Sequence, residues 1–153
     1  MVFEIEIQAR LRDVNLAGHV DSVEAIRIID EARQLFLRAG DPSRGIAPVL
    51  GRMPAGVSEL VGSQRVDYRA EMRFVPFQPF LARLWTSHVG RSSFTVEYEL
   101  RIAADHPPAI AGETSCVCWD SAAQGPWSLS DDVRTALEAH LGDPVELRGR
   151  PVG

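Results

Sequence analysis

Four side chains that can bind water or move protons stand close together near the N-terminus: Asp13, Asn15, His19 and Asp21. Carboxylates and imidazoles can accept a proton from water, which is the task of a general base in hydrolysis and hydration. The carboxamide of Asn15 can orient a water molecule through hydrogen bonds, but it cannot take its proton near neutral pH. The stretch therefore predicts an acid–base site in which Asp13, His19 and Asp21 are the candidate bases.

Each candidate base also has a structural role open to it. Asp21 stands where a helix is predicted to begin, and a side chain that caps a helix N-terminus contributes about 1 kcal/mol of stability. Asp13 can form a turn or a salt bridge, and His19 can pack and hydrogen-bond within the turn. The spacing alone leaves both roles open for all three residues.

A strand is predicted directly before the polar stretch, over residues 1–12. Its apolar residues alternate with polar ones in the period-two pattern of a half-buried strand: Phe3, Ile5, Ile7, Ala9 and Leu11. The strand leads into a turn that contains Gly18. We therefore expect the polar side chains to lie where the sheet ends and the next element begins.

A long helix is predicted to follow over residues 21–39. Asp21 and Glu24 have the spacing of a capping box, in which the two side chains bond to the backbone N–H groups of the first turn. Apolar residues then recur at helical spacing, and Gly40 provides a helix end. So wide an apolar face requires a large sheet to cover it.

The remaining strands are predicted within residues 58–120, and a short terminal helix is predicted at 131–141. Residues 41–56 are rich in Gly, Pro and Arg and are expected to form a functional loop or a short irregular helix. The strands are expected at 65–74, 80–89, 94–102 and 109–120. This order predicts one α+β domain over 1–153, with a long central helix wrapped by a five- or six-stranded antiparallel sheet.

Charge and composition exclude several function classes. The chain has a net charge of −5, which argues against general nucleic-acid binding. It has neither the pattern of a secretory signal nor a long apolar stretch, so we expect a cytoplasmic protein without membrane contact. Cys116 and Cys118 are expected to be reduced core residues, and the scattered His88, His106 and His140 lack the spacing of metal ligands.

All sixteen basic residues are arginines, and three of them are spaced to share one face of a predicted strand: Arg65, Arg69 and Arg73. An arginine fork fits phosphate and carboxylate groups, so these side chains could bind the phosphates of a nucleotide-bearing ligand. The same arginines, interleaved with acids, could equally form a solvated sheet face. Arg65 and Arg69 are kept as candidate ligand-binding residues.

The stretch from Arg12 to Ser22, followed by Asp30-Glu31-Ala32-Arg33, resembles the signature of the 4-hydroxybenzoyl-CoA thioesterase family. The family has a turn carrying aspartates, a Gly-His-Val stretch and a Glu-Glu-Ala-Arg segment in the helix. Val66-Asp67-Tyr68 and Gly90-Arg91-Ser92-Ser93-Phe94 are similar to later parts of its pattern. The resemblance implies a hot-dog fold.

The resemblance also implies the roles of the polar turn. The family hydrolyses acyl-CoA thioesters with a turn carboxylate, and Asn15 stands at that position in this sequence. It implies that Gly18, Val20 and Ser22 bind the substrate, with the N–H groups of residues 18–22 facing the acyl oxygen. Coenzyme A or acyl carrier protein would be part of the substrate, no separate cofactor is implied, and the chain would form a homodimer or homotetramer.

Two alternatives stay open. Hot-dog enoyl hydratases have a related stretch, and Asp13, Asn15, His19 and Asp21 are similar to it apart from one extra residue and a missing proline. Such an enzyme would need Asp13 and His19 to converge on one water molecule. Because Asn15 cannot act as a base, the third reading is an acyl-CoA binding protein without catalysis.

Overall fold

The computed structural model describes residues 1–149 as one sheet with a long helix against it. Helix α1 covers Ser22–Gln34 and continues as a wider π-helical turn over Leu35–Ala39; helix α2 covers Asp131–Glu138. The strands are β1 Phe3–Ile7, β2 Val57–Tyr68, β3 Phe80–Val89, β4 Ser93–Arg101, β5 Pro108–Asp120 and the two-residue β6 Gly125–Pro126.

The six strands form one antiparallel sheet in the order β1-β3-β4-β5-β2, with β6 paired to β5. Because β2 pairs only with β5 among the strands of residues 1–149, it forms an open edge of the described sheet, and it is 12 residues long. The structure confirms the predicted α+β class with a central helix and a five- or six-stranded antiparallel sheet.

The core lies between α1 and one face of the sheet. The helix contributes residues at helical spacing, so that one face is buried: Ala25, Ile28, Ile29, Ala32 and Phe36. The sheet contributes alternate residues of its central strands, among them Leu84, Phe94, Val96 and Leu100. Cys116 and Cys118 are free and buried in the same core, and burial raises the pKa of each thiol to about 11.

The first strand is shorter than predicted. Alternation continues to Leu11, but the backbone leaves the sheet after Ile7 and forms a 3₁₀ turn over Leu11–Asp13. Leu11 is consequently 74% exposed. The Asp13 carboxylate closes this turn by accepting a hydrogen bond from the Arg10 N–H at 2.7 Å, a local contact that period-two reasoning does not include.

The second strand was predicted at 65–74 but lies at 57–68. It leaves β5 after Tyr68, where the N–H groups of Arg69 and Ala70 both donate to the Ala109 carbonyl. The following residues cross to the start of α1, and the Met72 carbonyl accepts from the Val20 N–H at 2.7 Å. The alternating residues after Tyr68 therefore belong to a crossing segment rather than to a strand.

The start of α1 differs from the predicted capping box. Asp21 is the N-cap, and its carboxylate accepts from the Val23 N–H at 3.1 Å. The Asp21 N–H donates to the Asp13 carbonyl at 2.8 Å, so Glu24 has no vacant backbone donor to reach, and it pairs with Arg27 at 3.1 Å instead. The reciprocal half of the box is therefore missing.

The terminal helix α2 is shorter than its predicted range of 131–141. Ser130 caps its start through a hydrogen bond from the Val133 N–H at 3.4 Å, and Val133 and Leu137 are buried against the sheet.

Within residues 1–149, no helix combines the length and apolar composition needed to cross a bilayer.

The segment predicted as a functional loop or irregular helix contains one short 3₁₀ turn, Pro42–Arg44, followed by irregular backbone. Asp41 caps this turn by accepting from the N–H groups of Ser43 and Arg44. Val49 and Leu50 are buried against the end of α1. In this structure the segment therefore closes one end of the core.

Candidate functional site

A cavity of about 360 Å³ lies between the start of α1 and the segment that follows β2. One wall comes from the polar stretch identified in the sequence: Asn15, His19, Val20, Asp21 and Ser22. The opposite wall includes Tyr68, Ala70, Glu71 and Met72. The fold therefore brings five of the predicted site residues to one opening.

Asn15 organises the turn before the helix. Its Oδ1 accepts hydrogen bonds from the Ala17 N–H at 2.9 Å and the His19 N–H at 3.2 Å, and its own N–H donates to the His19 carbonyl at 2.8 Å. The Oδ1 atom is thus occupied, while the Nδ2 group donates to no acceptor within residues 1–149. Asn15 can offer the cavity a hydrogen-bond donor.

Gly18 belongs to the same turn but does not line the cavity. Its backbone has φ +81°, a left-handed conformation that favours glycine, and its N–H donates to the Asn15 carbonyl at 3.0 Å. Gly18 therefore shapes the turn that presents its neighbours. It was predicted to bind the substrate, but it is not among the residues that line the cavity.

The helix start offers fewer free donors than the sequence suggested. Four of the five N–H groups expected to be unpaired donate to protein acceptors: those of Gly18, His19, Val20 and Asp21. The Ser22 N–H, at the first position of α1, meets no acceptor in the part of the chain that the structure describes. Because Ser22 lines the cavity, this N–H group and the positive end of the helix dipole are the backbone features available to an anionic oxygen.

A cluster of three ionisable side chains stands at the cavity. His19 Nε2 lies 3.0 Å from Glu71 Oε2 and 2.8 Å from Arg73 Nη2. Glu71 lines the cavity with its side chain 67% exposed, whereas the His19 side chain is 23% exposed. Sequence reasoning missed Glu71, because an alternating pattern assigned it to the wet face of a strand that in fact ends at Tyr68.

Asp21 and Tyr68 border the cavity beside Ser22. The Tyr68 hydroxyl donates to the Ser22 carbonyl at 3.1 Å. Burial raises the pKa of Tyr68, and the charge of the Asp21 carboxylate raises it further. Tyr68 therefore stays a neutral hydrogen-bond donor, and Asp21 is both the helix cap and a wall of the cavity.

Besides Gly18, three predicted site residues lie outside the cavity lining. Asp13 is buried and directed to the Arg10 N–H. Arg65 lies 3.8 Å from the Glu113 carboxylate, and Arg69 lies 3.7 Å from Asp67 and donates to the Glu146 carbonyl. The two arginines therefore contact acids or backbone of this chain.

No set of three or more histidine, cysteine or carboxylate side chains within residues 1–149 has the arrangement of a metal site. The cavity instead combines hydrogen-bond donors and proton acceptors. The Asn15 Nδ2 group and the Ser22 N–H supply donors, and Asp21 and Glu71 supply carboxylates. Such a lining fits an uncharged polar group that gains negative charge during a reaction with water.

The family model described as the thioesterase-like superfamily matches residues 9–137 of this chain. That range includes the polar turn, the central helix, all strands from β2 to β6 and most of α2. No curated protein is similar enough in sequence to count as a match.

Solved structures share the fold over nearly the whole chain. The PA5185 protein of Pseudomonas aeruginosa is 25% identical with a TM-score of 0.76, covering 94% of each chain. A 1,4-dihydroxy-2-naphthoyl-CoA thioesterase from Synechocystis is 20% identical with a TM-score of 0.72, covering 90% of this chain and 96% of its own. A Thermus thermophilus thioesterase complexed with coenzyme A and Zn is 21% identical with a TM-score of 0.68, covering 93% and 96%.

Proposed function

The chain belongs to the thioesterase-like superfamily, and we propose that it hydrolyses acyl thioesters of coenzyme A or of acyl carrier protein. The observation that carries this proposal is the cavity at the start of α1. There the Ser22 N–H, which meets no acceptor among residues 1–149, and the Asn15 Nδ2 group share one lining with the carboxylates of Asp21 and Glu71. Donors and a base in one cavity are what thioester hydrolysis requires.

Hydrolysis of a thioester places negative charge on the carbonyl oxygen when water adds to the carbonyl carbon. Preorganised N–H donors stabilise that oxygen, and losing one such donor typically costs a factor of about 100 to 1,000 in rate. Ser22 would supply such a backbone donor at the helix N-terminus. Asn15, which stands where the family has a carboxylate, would instead donate from Nδ2 to the attacking water and hold it in place.

The solved relatives support coenzyme A as the carrier of the acyl group. The Synechocystis protein is described as acting on an aromatic acyl-CoA, and the Thermus thermophilus thioesterase was solved with coenzyme A bound. We extend only the carrier to this chain.

The hydratase alternative receives less support from the geometry. It needs Asp13 and His19 to face one water molecule, but the Asp13 carboxylate accepts from the Arg10 N–H and does not line the cavity, whereas His19 does. The binding protein without turnover is the alternative that the activity assay addresses directly.

The test is a panel of aliphatic and aromatic acyl-CoA esters, with released thiol detected by a chromogenic reagent. Turnover of at least one ester supports the proposal, while tight binding without thiol release identifies a binding protein. Asn15→Asp is the informative variant, because the acid keeps an oxygen for the Ala17 and His19 N–H groups and places a second one where Nδ2 stood. We expect it to raise hydrolysis about tenfold or more; no gain would contradict the assigned position of Asn15.

We also propose that the chain forms a homodimer through the edge strand β2. Within residues 1–149 no strand pairs with the outer side of this 12-residue strand, and two apolar side chains near its middle are about half exposed: Leu60 at 48% and Val61 at 49%. Exposed edges of this length favour pairing with another strand. Tyr68 ends β2 and lines the cavity, so a second copy would lie beside the site.

Sedimentation equilibrium would measure the mass of the assembly. Val61→Asp should shift the protein toward the monomer, because the charge would be buried between two copies. Leu141→Asp is the matched control, because Leu141 is also 49% exposed but pairs with Thr86 of β3, three strands away from β2 in the sheet. Equal dissociation of both variants, or a monomeric wild type, would contradict the edge-strand interface.

A further inference from the structure

Glu71 is held above the polar turn by its neighbours in the chain. The Met72 carbonyl accepts from the Val20 N–H at 2.7 Å, and Arg73 forms an isolated antiparallel bridge with His19. These attachments fix the backbone directly after Glu71 against the turn. The Glu71 side chain lines the same cavity as Asn15 and Ser22.

The imidazole of His19 is positioned from the opposite side. Asn15 accepts from the His19 N–H at 3.2 Å and donates to the His19 carbonyl at 2.8 Å. This places Nε2 at 3.0 Å from a Glu71 oxygen and at 2.8 Å from an Arg73 nitrogen. With a hydrogen, Nε2 donates to Glu71; without one, it accepts from Arg73.

Resting on the proposed thioester hydrolysis, we propose that Glu71 is the general base of this site and that His19 is the residue that positions it. The carboxylate replaces the proton acceptor that Asn15 cannot be. When Nε2 carries its hydrogen, it holds one Glu71 oxygen and leaves the other for water. Arg73, 3.9 Å from the same carboxylate oxygen, attracts the Glu71 side chain toward the turn.

The reaction is balanced without any further reagent. Glu71 takes one proton from water while the water oxygen forms a bond to the thioester carbonyl carbon. The Asn15 Nδ2 group holds this water by donating to its oxygen, and the resulting oxyanion accepts a hydrogen bond from the Ser22 N–H. When the oxyanion collapses, the carbon–sulfur bond breaks, and the leaving thiolate takes the proton from Glu71 to give a thiol and a carboxylic acid.

Asp21 is the other carboxylate of the cavity, and its contacts suit it less to this role. One of its oxygens accepts the Val23 N–H at 3.1 Å, and its backbone N–H is bound to Asp13. Turning its side chain toward a water molecule would sacrifice the helix cap, which is worth about 1 kcal/mol. Glu71 gives up no backbone contact to residues 1–149 when it moves, because in that part of the chain its carboxylate contacts only the side chains of His19 and Arg73.

The central experiment compares Glu71→Gln with Glu6→Gln on the ester that the wild type hydrolyses best. Glu6 is an exposed acid of β1 that does not line the cavity, so Glu6→Gln removes the same charge at a distance. We expect Glu71→Gln to lower kcat by about 100-fold or more, as for loss of a general base, with KM little changed. The Glu6→Gln rate should equal that of the wild type.

The pH profile separates a base from a residue that only shapes the cavity. In the wild type, kcat should fall on the acid side as a carboxylate is protonated, and Glu71→Gln should remove this limb from the residual rate. The ionisable groups that face Glu71 are His19 from the turn, Asp21 from the helix start, Tyr68 from β2 and Arg73 from its own segment. His19→Gln should lower kcat and displace the acid limb while leaving it present.

The outcomes separate the proposed role of Glu71 from the proposed thioester hydrolysis. Undiminished kcat in Glu71→Gln would overturn the role of Glu71 and leave thioester hydrolysis standing. Absence of thiol release from both the wild type and Asn15→Asp would overturn both. Restored turnover in the Asn15→Asp, Glu71→Gln double variant would support both, because a carboxylate at either position would then serve the same cavity.

Discussion

The two ends of the central helix are built in opposite ways. At its start, the Ser22 and Glu24 N–H groups find no acceptor within residues 1–149, and Ser22 borders the cavity. At its end, the last carbonyl groups accept from N–H groups of the loop that follows, at Leu35, Phe36 and Leu37. Helix ends carry equal numbers of unpaired groups, so the asymmetry lies in the surroundings.

The side chains show the same contrast. Phe36 is 1% exposed and packs against Phe3 at a ring distance of 5.3 Å and against His140 at 5.0 Å. At the opposite end, Val23 is 62% exposed and the neighbouring residues are polar. The closed end therefore contributes stability, and the open end remains available for a ligand.

Gly40→Ala should have the largest effect on stability. Gly40 has φ +66° at the end of the helix, and an added Cβ would lie 2.3 Å from the Ile46 carbonyl oxygen and 2.7 Å from backbone atoms of Ala47 and Pro48. We expect a loss of about 3 kcal/mol or more in the free energy of unfolding, measured by urea denaturation, because backbone must move.

Gly45→Ala is the matched control for this variant. Gly45 has a similar φ of +68°, but no atom lies within 4 Å of an added Cβ. Only the backbone strain remains, so we expect a loss of about 1 kcal/mol. Equal losses in the two variants would show that close packing does not hold the closed end.

Asn15→Ala should have a smaller effect on stability and a large effect on turnover. It removes the acceptor of the Ala17 and His19 N–H groups in an exposed turn, so we expect a loss of about 1 kcal/mol by urea denaturation. Thiol release should be abolished with the Nδ2 donor. Leu16→Ala is the control in the same turn: Leu16 is fully exposed and should change stability by less than about 0.5 kcal/mol.

The fold was predictable because its signals are local and repeated. The period of two in the central strands and the helical period after Ser22 each bury one face, and both are readable without coordinates. The failures occur where a tertiary contact ends an element. The alternation of apolar and polar residues continues beyond Tyr68, but the chain leaves β5 there. The Met72 carbonyl instead accepts from the Val20 N–H, which is distant in the sequence.

The site was predictable in one wall and not in the other. Asn15, His19, Asp21 and Ser22 are close in sequence and share a turn, so their convergence follows from local geometry. Glu71 meets His19 only through the crossing segment after β2, which no local pattern specifies. The number of free backbone N–H groups was overestimated for the same reason. The Val20 N–H donates to the Met72 carbonyl through a tertiary contact, and the Asp21 N–H donates to the Asp13 carbonyl in a turn outside the helix.

The smallest predicted effect is a pH dependence of the free energy of unfolding that arises at the closed end of the helix. Burial lowers the pKa of His140. Its Nδ1 donates a hydrogen bond to the Met1 carbonyl at 2.7 Å, and this bond partly offsets the shift. Because the folded state holds this imidazole neutral, the unfolded chain binds its proton first as pH falls below the usual histidine pKa of about 6.5. The contribution of His140 is therefore complete above that pH and is lost toward the lower, folded pKa.

His140→Gln should remove this part of the pH dependence. The free energy of unfolding, measured by urea at pH 7.5 and pH 5.5, should fall less in the variant than in the wild type, by under about 1.4 kcal/mol per pH unit, the limit for one proton. His88→Gln is the control, because His88 is exposed on β3 and forms no salt bridge within residues 1–149, so this variant should keep the wild-type slope. If His140→Gln retains the full slope, other groups cause the loss of stability in acid. The open end of the helix, which includes His19, then becomes the region to test.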